Sequence, residues 1–471
     1  MHRALLTAAL IAGLLTPPSA TAAPPAELSP AAIESYLDRA MDSTGLPGIS
    51  LVVTREDSVV HATGAGRDAH GDPVTAHTPM RIASLTKSLT AAAVMSLVDG
   101  GRIALDGPVA EQLPEFRPAD PRGARITVRH LLNQTSGLSD RTVDIAATQR
   151  ARSSADYVAT LRTATLGAEP GTAWAYCNVN YDIAARLVEV VSGRGFGEYL
   201  RERIFTPLGM ASSGTDADLP APADGFVSLF GQWIPRPESA RFEGGGGGSV
   251  ISTAADMGRW LISQTGHGPQ PVTAQSLRTM RTPVLHDYGM GWSAETPHAL
   301  LVHSGNLFTY NAAQAIDPAS GYGFAVLTNS AGLTDDSYEI MLGLVALSRG
   351  ETPAAPGGSR PWIEAALGAI TVTAAGLGVL GVLRARRWAR ATRDRAAWRG
   401  AVRLLPALSP ALMLAGYPAA VSVLANGRTV TWAQLTFAAA PLTIALGATA
   451  LAGAATVAAR LWRLRSVGSG E

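Results

Sequence analysis

The sequence predicts a two-part chain: an exported globular domain that mixes helix and strand, followed by a membrane region of three helices. Three observations carry this reading. First, His2-Arg3, the apolar stretch Ala4 to Leu15 and the small-residue run Pro17 to Ala23 read as a signal peptide over residues 1–23. Second, the runs Ala365 to Leu383, Leu404 to Ala425 and Thr429 to Ala459 carry no charged residue, and each is long enough to cross a bilayer. Third, Glu351 to Arg360 is rich in proline and glycine and reads as a linker. The expected organisation is a globular domain over 27–350, a linker over 351–360 and a membrane domain over 361–471. Its helices are expected near 363–383, 404–425 and 433–459, the middle one interrupted by Pro406, Pro410 and Pro418.

Charge orients these elements. Eight arginines lie between Arg384 and Arg403, and Arg460, Arg463 and Arg465 follow the third apolar run. The connector Asn426-Gly427-Arg428 carries little charge. By the positive-inside rule the arginine loop and the C-terminus face the cytoplasm. Residue 360 then lies outside, in agreement with an exported N-terminus. The expected location is the plasma membrane, multi-pass, with the globular domain on the extracytoplasmic face. Three spans without an intramembrane charge look like an anchor rather than a pathway. They exceed what tethering requires, which leaves room for a membrane partner.

Composition excludes several classes. The net charge is +1, so nothing favours a nucleic-acid partner. The single cysteine, Cys177, rules out an intrachain disulfide and a cysteine-based zinc site. The nine histidines show no HExxH-type spacing, so neither metal nor cofactor is expected.

Lysine usage points to chemistry. Lys87 is the only lysine among 38 strongly basic residues. Arginine serves as well for surface charge, so the exception implies a task arginine cannot perform. An amine can lose its proton inside a protein, and a guanidinium in practice cannot. Ser84 lies three residues earlier, and the apolar stretch Leu89 to Val98 with its stop at Gly100-Gly101 predicts a helix. Residues at i and i+3 share a helix face, so Ser84 and Lys87 can meet. Ser84 would sit near the helix N-terminus, where an oxyanion is favoured. A neutral amine is one way to activate a serine.

Two further segments are candidates. Tyr176-Cys177-Asn178 follows a Pro170-Gly171 turn and precedes an amphipathic helix from Tyr181 to Val191, a loop-to-helix position that presents side chains well. A phenol beside a cation can relay a proton, and a carboxamide can bind an amide or carbonyl. His303-Ser304-Gly305, before Asn306, follows the strand-like Leu300-Leu301-Val302, and the glycine would let a ligand backbone approach closely.

Ser-x-x-Lys, Tyr-x-Asn and a basic residue-x-Gly in this order resemble the serine β-lactamase and penicillin-binding-protein superfamily. Other segments narrow the likeness to its class C β-lactamase-related branch: His130 to Leu138 (HLLNQTSGL), Leu105 to Val109 with Leu113-Pro114, and Gly245 to Asp256 (GGGGSVISTAAD). The match covers roughly residues 30–350. It implies an α/β (α+β) fold, with an antiparallel sheet flanked by helices, a helical subdomain and the site between them. It favours an ordered strand entry for the glycine run over a flexible linker. It implies Ser84 as the acylated nucleophile, Lys87 and Tyr176 as the proton-transfer pair, and Asn178 as a substrate-amide ligand. His303 would bind or polarise substrate where most β-lactamases have lysine. Gly305 and Asn306 would line the substrate site, the backbone N–H groups of Ser84 and Asn306 forming an oxyanion hole.

The resulting expectation is a serine hydrolase acting through an acyl-serine on a small-molecule or peptide substrate. That substrate is a peptide, cell-wall peptide included, a D-amino-acid amide or an ester. The histidine at 303 argues against efficient antibiotic hydrolysis. Cys177 stands where the family has small residues and reads as filler. The alternative, a non-catalytic receptor or scaffold that kept the fold, predicts a degenerate site. Retention of Lys87 argues against it.

Overall fold

The computed structural model describes residues 28–238, 242–296, 298–393, 396–424 and 428–468. The expected signal peptide lies outside them. The core is a six-stranded antiparallel sheet built from β1 (Gly48–Arg55), β2 (Ser58–Gly66), β3 (Ser293–Glu295), β4 (Leu300–Asn306), β5 (Asn311–Asp317) and β6 (Tyr322–Thr328). Its spatial order is β2-β1-β6-β5-β4-β3, so the first and last strands of this sheet in chain order pair within it.

Strand alternation explains the two-sided burial. Ile49, Leu51 and Val53 of β1 and Phe324 and Val326 of β6 enter one apolar cluster, with α1 (Pro30–Thr44) and α5 (Asp336–Ser348). Val52, Ala325 and Leu327, one residue out of phase, enter the other cluster, beneath α2 (Thr86–Asp99) and α4 (Ala254–Thr265). Helix starts are locally encoded. Ser29 caps α1 by accepting from Ala32 N, with Pro30 in the first turn, and Thr253 caps α4 by accepting from Asp256 N. The second cluster continues into a helical subdomain formed by α2, α3 (Asn178–Ser192) and several short helices. Helix α2 is buried along nearly its whole length, its polar residues Lys87, Ser88 and Thr90 included.

Beyond the domain, α6 (Arg360–Leu383), α7 (Leu405–Leu424) and the long helix α9 (Ala440–Gly468) are long and apolar enough to cross a membrane. Helix α7 runs through Pro410 and Pro418 without a break. The third apolar run is not one helix from 433 to 459. It divides into α8 (Trp432–Ala438) and α9, with Ala439 in a non-helical conformation between them. Pro441 explains the division: it has no N–H for the Phe437 carbonyl, and its ring would strike that carbonyl in a continuous helix. Helix α6 begins at Arg360, at the end of the expected linker. Arg360 and Glu364 both bond Ser228, and Glu364 also accepts from Gly231 N at 2.6 Å. The start of α6 is therefore docked on the hairpin formed by Gly225–Leu229 and Gln232–Arg236.

Candidate active site

Ser84 lies in a tight turn, Ala83–Leu85, that leads into α2. Ala83 has φ of 49°, a left-handed conformation unfavourable for a residue with a Cβ. The turn is wedged against β4. A Cβ on Gly305 would sit 2.6 Å from the Ile82 carbonyl and 3.0 Å from Ala83 Cβ. The close approach that requires glycine here is thus made by the protein's own serine turn, not by a ligand backbone as expected.

Lys87 is fully buried one helical turn on. Its Nζ is 3.0 Å from Ser84 Oγ, 2.9 Å from Asn178 Oδ1 and 2.5 Å from the Gly247 carbonyl. Two of these partners can only accept. They fix two N–H bonds and leave the third position on nitrogen, proton or lone pair, aimed at Ser84. Among the described residues no carboxylate pairs with Lys87. The glycine run that supplies Gly247 is ordered, as expected, and threaded against α3. A Cβ on Gly245 would meet Asp182 Oδ1 at 2.5 Å, and the Gly246 carbonyl accepts from Thr90 Oγ1 at 2.9 Å.

Tyr176 and Asn178 flank the entry to α3, and the HLLNQTSGL segment braces them. Gln134 Oε1 accepts from Cys177 N at 3.1 Å and from Asn180 Nδ2 at 2.6 Å. Gln134 O accepts from Ala175 N at 2.9 Å, and Ser136 Oγ donates to Asn180 Oδ1 at 2.6 Å. Lys87 Nζ lies 4.8 Å from the Tyr176 ring centroid. It approaches the ring face; among the described residues the Tyr176 hydroxyl makes no hydrogen bond. Cys177 is buried, and burial pushes its thiol well above the usual range, so it stays protonated.

His303 comes from β4, its ring centroid 6.2 Å from that of Tyr176. Nδ1 lies 2.7 Å from the Ser304 carbonyl, so it carries the proton. Nε2 is then the acceptor for the buried Tyr288 hydroxyl at 3.3 Å. Burial, and then the positive field of Lys87, push its pKa down to about 3. The ring is neutral at pH 7. Asn306, at the end of β4, is exposed at the mouth.

Two adjoining cavities of about 220 and 470 Å³ meet here, sharing Ser84, Asn178, Asn306 and Arg428. Arg428 belongs to the connector between α7 and α8. Its Nε donates to Asp140 Oδ2 at 2.7 Å, and its Cζ lies 5.1 Å from the Tyr176 ring centroid. Burial disfavours its charge, but Asp140 and the Tyr176 phenol hold its pKa above the ordinary value. Gly247, Tyr288, Asp140 and Arg428 were not among the sequence candidates. Gly247 lies within the GGGGSVISTAAD segment and Asp140 two residues after HLLNQTSGL, whereas Tyr288 and Arg428 adjoin no motif. Elsewhere, Asp68, His70 and Asp72 bring three potential metal ligands within 4.8 Å. This is a surface turn in which Asp68 Oδ1 already accepts from His70 N and Asp72 N.

Residues 33–348 match the family model described as Beta-lactamase. Penicillin-binding protein 4 of Amycolatopsis lactamdurans is 32% identical over 353 residues, covering 67% of this chain and 90% of that protein. Protein flp of Staphylococcus aureus is 26% identical over 312 residues, and the chain spans 62% of its length. Among solved structures, the octameric penicillin-binding protein homologue from Pyrococcus abyssi superposes with a TM-score of 0.58 at 27% identity, covering 68% of this chain and 77% of that one. D-amino acid amidase from Ochrobactrum anthropi SV3 shares the fold, with a TM-score of 0.56 at 23% identity over 67% of this chain and 95% of its own. From residue 33 to residue 348, then, this chain belongs to the beta-lactamase family of serine hydrolases.

Proposed function

We propose that the chain is a membrane-anchored, extracytoplasmic hydrolase that forms an acyl-enzyme on Ser84, with a peptide, a D-amino-acid amide or an ester as substrate. The observation that carries this is the buried Lys87 amine 3.0 Å from Ser84 Oγ, steered by two neutral acceptors. With Lys87 neutral, its lone pair faces the Ser84 hydroxyl. As Oγ attacks the substrate carbonyl, the hydroxyl proton passes to Nζ and the carbonyl becomes an oxyanion, which the N–H groups of Ser84 and Asn306 would bind. Collapse breaks the bond to the leaving group. That group takes a proton from Lys87, with Tyr176 as the relay, and water then releases the acyl group. Asn178, held by Lys87, would orient the substrate amide. Neutral His303 can polarise but not ion-pair with a substrate.

Anchoring is supported by the three apolar helices and by their large exposed side chains, such as Trp362, Leu377, Leu412 and Leu451. The topology has geometric support. The start of α6 and the connector after α7 both touch the hydrolase domain, as they would if both lay outside.

The test is the intact mass of the full-length protein in detergent after exposure to a fluorophosphonate, a p-nitrophenyl ester and a penicillin. A single adduct, absent in Ser84→Ala, is expected with the fluorophosphonate. The other two reagents separate ester from penicillin recognition. A folded wild-type protein that no reagent labels would overturn the reading.

A further inference from the structure

Part of the wall around Ser84 comes from the membrane region. Arg428 and Thr429 leave the end of α7 and reach Asp140, whose side chain is only 4% exposed. Thr429 bonds Asp140 twice, from its N to Oδ2 at 3.2 Å and from its Oγ1 to the carbonyl at 3.0 Å. Gln434 of α8 lines the smaller cavity. Phe437 packs on Phe308, centroids 5.6 Å apart, and Arg236 Nη1 donates to the Thr436 carbonyl at 2.8 Å. The connector and α8, which together join the second and third apolar helices, are therefore seated on the domain at several points beside the serine.

Its charge is matched to a purpose. Arg428 is the only lysine or arginine among the described residues lining either cavity, and His303 is neutral. Asp140 engages Nε alone. Among the described residues the two terminal amino groups of Arg428 make no hydrogen bond, and a third of the side chain is accessible. A guanidinium anchored through Nε presents its remaining N–H groups as a fork that fits a carboxylate. Without Arg428, the described structure leaves Asp140 a buried carboxylate with no cation, a costly state.

We propose that the connector between the second and third apolar helices completes the substrate site, and that Arg428 binds a carboxylate of the substrate. The inference rests on the acyl-serine reading and adds a substrate class to it: acyl compounds bearing a free carboxylate. It also accounts for the second span. A single span would end on the far side of the membrane, and only a returning helix can bring Arg428 back to Asp140.

The test uses full-length protein in detergent with N-benzoyl-D-alanyl-thioglycolate and its methyl ester, which differ only in that carboxylate. Thiol release gives kcat/KM for each. Wild type should prefer the acid. In Arg428→Gln the acid-to-ester ratio should fall about tenfold or more, the scale of a charge-assisted hydrogen bond, and Arg428→Lys should restore part of it. Asp140→Asn combined with Arg428→Gln removes the unpaired carboxylate and should show the same fall should the single variant unfold. An unchanged ratio overturns the proposal. So does an equal rise for both substrates, which would make the connector a plug, and so does turnover of neither thioester by a Ser84 that a fluorophosphonate still labels. Absence of that label on wild type would instead sink the hydrolase reading.

Discussion

Two cations flank one phenol in this site, and they are held in opposite ways. Lys87 lies 4.8 Å from the Tyr176 ring centroid and Arg428 lies 5.1 Å from it. Lys87 is buried and meets only neutral oxygens, whereas Arg428 is partly open and meets a carboxylate. The difference follows from what each charge has to do. A group that must give up and regain a proton is not pinned by an anion, which would stabilise its charged form alone. A group that must stay charged gains from such a partner. The two corners also differ in material. Beside Ser84 the Lys87 corner is closed by the close approach of Gly305 to the Ile82 carbonyl, while the Arg428 corner is held by the side-chain pair of Arg428 and Asp140.

The largest effect should come from making the first cation behave like the second. Lys87→Arg keeps the charge and removes the capacity to be neutral. Ser84 acylation by a fluorophosphonate should fall by about a thousandfold, within the range for loss of a general base. Lys87→Met, which introduces no larger group, should be equally inactive and keep a cooperative melt. An acylating Arg variant would erase the distinction between the two corners.

A smaller effect should come from opening the backbone contact. Gly305→Ala places a methyl 2.6 Å from the Ile82 carbonyl, which cannot move without shifting Ser84. A loss of about 1–3 kcal/mol in stability is expected, together with slower acylation. The acid-to-ester ratio, which reads Arg428, should survive. A fall in that ratio would mean that the two corners are mechanically one.

These corners were also unequally legible. Ser84 and Lys87 stand three residues apart on one helix turn, so spacing and the lysine exception suffice to find them. Tyr176, Asn178 and His303 were candidates by their loop and strand settings, tied into one site only by the resemblance, and they line one cavity with Ser84. Gly247 lay inside a recognised segment, but its role was invisible because its contribution is a carbonyl, which every residue has. Tyr288 was invisible because a lone tyrosine has no pattern. Arg428 was hidden by context: in sequence it is the one charge in a short connector between apolar runs, 288 residues from Asp140. The main sheet was expected from the resemblance alone: β1 buries Ile49, Leu51 and Val53 on one face and Val52 on the other, so no apolar-polar alternation marks it in the sequence. The break between α8 and α9 was missed because hydropathy averages over Pro441.

The smallest effect concerns His303, the neutral group between the corners. Burial and Lys87 hold its folded pKa to about 3, against about 6.5 in an unfolded chain. Between these values the unfolded chain binds a proton that the folded one refuses. Stability contributed by the neutral ring is therefore present above about pH 6.5 and is lost progressively as pH falls toward 3. Melting temperatures of the full-length protein in detergent at pH 7.5 and 4.5 should show this. Wild type should lose more on acidification than His303→Gln, because shared carboxylate effects cancel between the two. Adding Lys87→Met should shrink the wild-type loss, since the cation is part of what excludes the proton. Equal losses in wild type and His303→Gln would mean that the imidazole is protonated in the native state. The site would then hold a third cation, and a substrate carboxylate would have two anchors rather than Arg428 alone.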